Sequence, residues 1–169
     1  MALFYLEEHR NPSSEWSDLF AMWPKTYDHF VQLYDEEALE VLEGTAIGDY
    51  IRASVRRLET VYEVLCQSIE GFDNQYTLRD WLGTIAVIGS RSFRNRKVFT
   101  HNEGNFQGEE VIIPLADLFN HSQPPDVVWS FSEYAGSEYD FILKAKRDIK
   151  KGEELNTTYF RVDNFSLLS

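Results

Sequence analysis

The densest cluster of chemically useful side chains lies in residues 111–122, VIIPLADLFNHS. An apolar run meets Pro114, and Asp117, Asn120 and His121 then follow within five positions. Taken alone this is a weak signal. It fits an Asx-type turn with a hydrogen-bonded histidine better than it fits a ligand site. The rest of the inventory is restrictive. Four histidines and one cysteine leave few nucleophilic schemes. No G-x-S-x-G, H-E-x-x-H, P-loop or G-x-G-x-x-G string is present, so hydrolase-elbow, zincin, NTPase and dinucleotide-fold chemistries lack support. The lone Cys66 excludes an internal disulfide and a cysteine-cluster zinc site. Three N-x-S/T strings begin at Asn120, Asn156 and Asn164, and without a visible secretory signal they read as coincidences.

The elements that must hold these residues divide the chain in two. Ile47, Ile51, Val55, Leu58, Tyr62, Leu65 and Ile69 recur at three- and four-residue spacing, which predicts one long amphipathic helix. Shorter helices are expected over Met1–His9 and Glu36–Glu43, with breaks at Asn11-Pro12 and Trp23-Pro24. Thr77-x-x-Asp80 has the form of a capping box opening a helix that runs through Trp81, Leu82, Ile85 and Ile88 to about Gly89. After Arg91 the character changes. Strands are expected over Val111–Leu115, Val127–Phe131, Tyr139–Ala145 and Leu155–Tyr159, with a tight turn at Lys151-Gly152 and a polar loop over Arg94–Gly108. The expected fold class is α+β, with a helical portion over residues 1–92 and a small strand-rich portion over 93–169.

With 169 residues the chain can bury a real core. Its 15% aromatic content rules out a disordered composition, and no apolar run is long enough to span a membrane. The expected setting is intracellular, cytoplasmic or nuclear. The formal net charge of -12 argues against nucleic acid as a partner. Residues 1–72 carry 14 acidic against 5 basic side chains, so a basic partner could be steered there; a merely solubilising helical face is the simpler alternative.

In combination the motifs say more. Pro114-x-x-Asp117-x-x-Asn120-His121-Ser122 resembles the signature of SET-domain protein methyltransferases, in the branch of the Rubisco large-subunit lysine methyltransferase. Other marks of that branch follow in order: Ser14-Glu15-Trp16 with Trp23-Pro24, Leu42-Glu43-Gly44-Thr45, and Ser90-Arg91-Ser92-Phe93. The turn from Asp148 to Leu155, then Thr157-Thr158-Tyr159 with Asn164 and Leu167-Leu168, complete the set. The resemblance covers nearly the whole chain. It implies methyl transfer from S-adenosylmethionine to a side-chain nitrogen, lysine or histidine, of a protein substrate, without a metal. It implies that Asn120 holds the amino-acid end of the donor and that the His121 backbone hydrogen-bonds the adenine. Arg91 and Asp117 would support the same pocket, and Tyr159 would orient the target nitrogen beside the transfer channel.

Rival readings stay open: Asp117 as a turn cap, Arg91 as one of a solvated basic cluster with Arg94, Arg96 and Lys97, and Tyr159 as strand core. Trp129, Phe131, Tyr134 and Phe141 fit a lysine channel or, more simply, core packing. His9, His29 and His101 read as surface. One cysteine cannot build the zinc modules that flank many histone-directed relatives, so the resemblance points to a non-histone substrate.

The chain also departs from the pattern. The family's early strands, with their G-x-G turn against the donor, have no counterpart here. Phe160 stands where the family has glycine, and the family's C-terminal helical lobe is not represented. A donor pocket present only in part, donor binding that is weak or absent, a poorly formed pseudoknot-like C-terminal segment and unpaired sheet edges are the expected consequences. The alternative to an enzyme is a non-catalytic interaction module derived from one, its acidic helices binding a basic protein segment. The oligomeric state is left open by the sequence.

Overall fold

Six helices and six strands are described in residues 1–95, 109–134 and 138–159 of the computed structural model. They fall into two compact units, one built on Met1–Ser90 and the other on Arg91–Val162. The expected α+β class, helices first and strands after, is what the chain adopts.

The first unit contains α1 (Ala2–Arg10), α2 (Ser17–Ala21), α3 (Glu36–Glu40), α4 (Ala46–Ser68), α5 (Phe72–Gln75) and most of α6 (Leu78–Arg91). The predicted apolar stripe of α4 faces inward. Val55, Leu58, Tyr62 and Leu65 pack on a buried cluster of Leu6, Phe72, Tyr76, Trp81 and Leu82. Each fully buried side chain of that size is worth about 1.5–3 kcal/mol. Ile69 was expected to extend the stripe, but its extended backbone ends the helix and its side chain is 40% exposed. The polar ends of the cluster are satisfied: the Trp81 indole N–H donates to the Leu58 carbonyl at 3.0 Å, and the Tyr62 hydroxyl to the Tyr76 carbonyl at 2.7 Å. The Tyr76 hydroxyl donates to Glu7 at 2.8 Å. The Ser14–Pro24 string is architectural: Trp23 is buried and stacks on Tyr5 at 5.2 Å.

The capping box forms as read. The Asp80 amide donates to Thr77 Oγ1 at 3.1 Å while the Asp80 carboxylate accepts from the Thr77 amide at 2.9 Å. The helix runs two residues past the expected Gly89, to Arg91.

In the second unit, β1 (Ser92–Asn95) pairs antiparallel with β2 (Glu109–Ile112), β4 (Val127–Tyr134) antiparallel with β5 (Glu138–Ala145), and β3 (Asn120–His121) parallel with β6 (Asn156–Thr157). Strand β1 was not foreseen, and it takes up the start of the expected Arg94–Gly108 loop. Strand β2 stops at Ile112 rather than Leu115. Pro114 brings no N–H to a ladder, and Leu115 sits at φ 72°, which a strand cannot accommodate. Strand β6 is also shorter than expected, for a reason given below. The turn at Lys151-Gly152 is present, with Gly152 at φ 91°. Phe160, Asn164 and the C-terminal segment lie outside the described residues, as do Arg96, Lys97, His101 and the side chains of Arg94 and Tyr134.

Candidate functional site

Arg91, Asp117, Asn120, His121 and Tyr159 all belong to the second unit. The two-residue parallel pairing of β3 with β6 aligns Asn120 with Asn156 and His121 with Thr157. Tyr159 therefore arrives two residues beyond His121's partner. Its hydroxyl donates to the Phe119 carbonyl at 2.7 Å and its backbone N–H to His121 Nδ1 at 3.1 Å. The two rings lie 5.3 Å apart, inclined at 51°. The Asn–His pair and the distant tyrosine are thus brought together. Tyr159 is 42% exposed, so it is not ordinary strand core. Partial burial pushes its phenol above the usual tyrosine range, and the positive charge of Arg91 pulls the other way.

Arg91 is 16% exposed and ends α6; its Nη1 donates at 3.2 Å to both the carboxylate and the carbonyl of Asp117. The Asp117 side chain is fully buried, held in a 3-10 turn (Ala116–Leu118) closed by the Leu118 amide on the Leu115 carbonyl at 3.3 Å, with the Asp117 amide itself donating to the Ile113 carbonyl at 3.1 Å. Arg91 is therefore a largely buried partner of Asp117; the side chains of Arg94, Arg96 and Lys97 lie outside the described residues.

Asn120 is exposed, and its Nδ2 donates to Glu154 at 2.7 Å. Glu154 was missed in the sequence because Gly152-Glu153-Glu154 reads as a polar turn and nothing in its spacing points back to residue 120. Asp126 and Arg147 were missed as well. The Asp126 carboxylate accepts from the Asn156 amide at 3.0 Å and from Arg147 Nε at 2.8 Å, and Arg147 Nη1 reaches Glu153 at 2.5 Å. Arg147, then the Asn156 amide, hold the Asp126 carboxyl below its ordinary value. This network pins β6 beside the start of β4, where the Thr157 hydroxyl donates to the Val127 carbonyl at 3.2 Å.

Trp129, Phe131 and Phe141 share one face of the β4–β5 hairpin with Phe93 of β1 against it, at ring separations of 5.0–6.0 Å. They pack on one another and remain half-buried. His9 and His29 are exposed. Among the described residues no cluster of three or more histidine, cysteine or carboxylate side chains could hold a metal, and no helix is long and apolar enough to cross a membrane.

Comparison with known proteins places this geometry. The SET domain family model matches residues 5–160. The chain is 26% identical over 93% of its length to the ribulose-1,5-bisphosphate carboxylase/oxygenase large subunit N-methyltransferase of Pisum sativum, covering 32% of that protein. It is 27% identical over 94% of its length to the fructose-bisphosphate aldolase-lysine N-methyltransferase of Arabidopsis thaliana, and 24% identical over 99% to N-lysine methyltransferase SETD6 of Rattus norvegicus. It covers 33% and 36% of those two, so it spans about a third of the length of these curated relatives. Among solved structures, the SET domain of LSMT bound to lysine and AdoHcy matches 98% of this chain and 37% of its own, with a TM-score of 0.75 at 22% identity. Rubisco LSMT bound to AdoMet matches 99% of this chain and 37% of its own, with a TM-score of 0.73. A match over nearly the whole chain, on the fold described here, shows that the protein belongs to the SET domain family.

Proposed function

We propose that this chain carries the methyl-transfer site of an S-adenosylmethionine-dependent protein N-methyltransferase, acting on a lysine, or as a second choice a histidine, of a non-histone protein. The observation that carries this reading is the parallel register of β3 with β6, which sets Asn120 and His121 beside Tyr159. The donor set fits the cofactor. With Nδ2 committed to Glu154, the exposed Asn120 amide offers its Oδ1 to an ammonium group. When bound, S-adenosylmethionine supplies an electrophilic methyl on a sulfonium. No oxyanion has to be stabilised in such a displacement; the protein has to align an unprotonated nitrogen and exclude water. Asn120 would hold the amino-acid end, the His121 backbone the adenine, and the Arg91–Asp117 pair would back them. Tyr159, with its hydroxyl directed to the Phe119 carbonyl, would orient the acceptor nitrogen.

The relatives named for Rubisco and aldolase, and the structural neighbour bound to lysine, support a lysine acceptor on a non-histone protein. A reducing compartment, cytoplasm or nucleus, fits a chain with one cysteine. The test is incubation with methyl-labelled donor and cell extract. Label transferred to extract protein by the wild type and lost in Tyr159→Phe supports the enzyme; no label from the wild type contradicts it. A non-catalytic module that binds a basic segment is the second reading, favoured by the 14 acidic and 5 basic residues among the first 72. It predicts capture of basic peptides that weakens steeply with salt and is unchanged in Tyr159→Phe.

A further inference from the structure

The imidazole of His121 has a position that the family signature does not explain, since the signature calls on this residue for its backbone. Strand pairing between β3 and β6 ends after two residues, with the Ser122 N–H donating to the Thr157 carbonyl at 2.9 Å. The next N–H on that edge, from Tyr159, meets not a strand carbonyl but His121 Nδ1 at 3.1 Å. The side chain thus takes the place of a ladder acceptor, and β6 stops short of the expected Tyr159 because its last amide is diverted. A ring nitrogen that accepts carries no proton, so this geometry requires a neutral imidazole protonated at Nε2.

The other end of Tyr159 is tied to Phe119 through the hydroxyl, at 2.7 Å. The tyrosine is therefore held at its amide and at its phenol by the two residues that flank Asn120. It is 42% exposed and lies beyond the last paired residue of β6.

We propose that the His121 imidazole, as the Nε2–H tautomer, is a positioning residue that sets the backbone and ring of Tyr159 next to the Asn120–His121 strand. Its catalytic consequence rests on the methyltransferase reading; the hydrogen bond itself does not. His121→Leu keeps bulk and removes the acceptor. His121→Asn places an amide oxygen at nearly the reach of Nδ1. In the wild-type chain, nitrogen NMR is expected to show the Nε2–H tautomer and a scalar coupling across the bond from the Tyr159 amide to His121 Nδ1. Amide exchange at Tyr159 should speed up at least tenfold in His121→Leu and stay near wild type in His121→Asn. With donor and acceptor present, turnover should fall about 100-fold in His121→Leu at nearly unchanged donor affinity, with most of it regained in His121→Asn. An Nδ1–H tautomer, no coupling, or equal effects of the two substitutions on Tyr159 exchange would overturn the proposal. Coupling and protected exchange in a wild-type chain that transfers no methyl would support it while removing the methyltransferase reading.

Discussion

Asp117 and Arg91 show how much one buried pair can govern. The Asp117 side chain has no solvent exposure, and the Arg91 Nη1 lies 3.2 Å from its carboxyl group and bonds its carbonyl as well. Asp117→Asn removes the charge of the buried partner that Arg91 meets at 3.2 Å. A loss of about 3 kcal/mol in denaturant-derived stability is expected. A change below about 0.5 kcal/mol would mean that solvent screens the pair as it does at a surface. Tyr159 gives a pH prediction. Its phenol titrates above the ordinary value of about 10 because burial disfavours the phenolate. The neutral form is the one the fold prefers, so its contribution is complete below the unfolded value and disappears as pH rises through the folded one. Near-ultraviolet titration of wild type minus Tyr159→Phe should place the missing phenol above the unfolded value; a step below it would contradict this assignment.

At the scale of elements, the family strings resolve into plain mechanics. In Leu42-Glu43-Gly44-Thr45, Gly44 takes φ 72° and Thr45 then caps α4, its Oγ1 accepting from the Gly48 amide at 3.1 Å. Its hydroxyl donates back to the Leu42 carbonyl at 2.6 Å. Thr45→Ala should lower stability by about 1 kcal/mol. Gly48→Ala should cost more, because a Cβ there would sit 2.3 Å from the backbone oxygen of Leu42; a neutral thermal melt would show that the turn can move. Asp126 clamps β6, and Arg147 keeps its carboxyl ionised below the ordinary range. The clamp should hold through mild acid and release only as pH falls through that lowered value, seen as faster amide exchange at Asn156. Exchange that rises already above the unfolded aspartate value would count against it. Long periodic elements were legible in the residues, and so was the Thr77–Asp80 box, because helix spacing and capping are local rules. Strand β3 was not, since two residues carry no alternation to read. The diversion of the Tyr159 amide to His121 was hidden too, because residues 38 apart meet there through tertiary pairing alone.

For the molecule as a whole, all the candidate site residues come from the Arg91–Val162 unit, while the acidic surplus belongs chiefly to the Met1–Ser90 unit. The signature, meaning Asp117, Asn120, His121 and Tyr159, was legible in the residues because each carries a type the fold uses. Their supports, Glu154, Asp126 and Arg147, were not, since an exposed charge looks the same in sequence whether or not it meets a partner. The strand carrying Asn120 and His121, together with Tyr159, is the proposed seat of the sulfonium donor. Titrating S-adenosylmethionine into the nitrogen-labelled chain and mapping its amide shifts tests this most directly. Saturable shifts at Asn120, His121 and Tyr159, lost in Asn120→Ala, are the predicted result. No shift at these positions at millimolar donor, or shifts confined to Met1–Ser90, would contradict it.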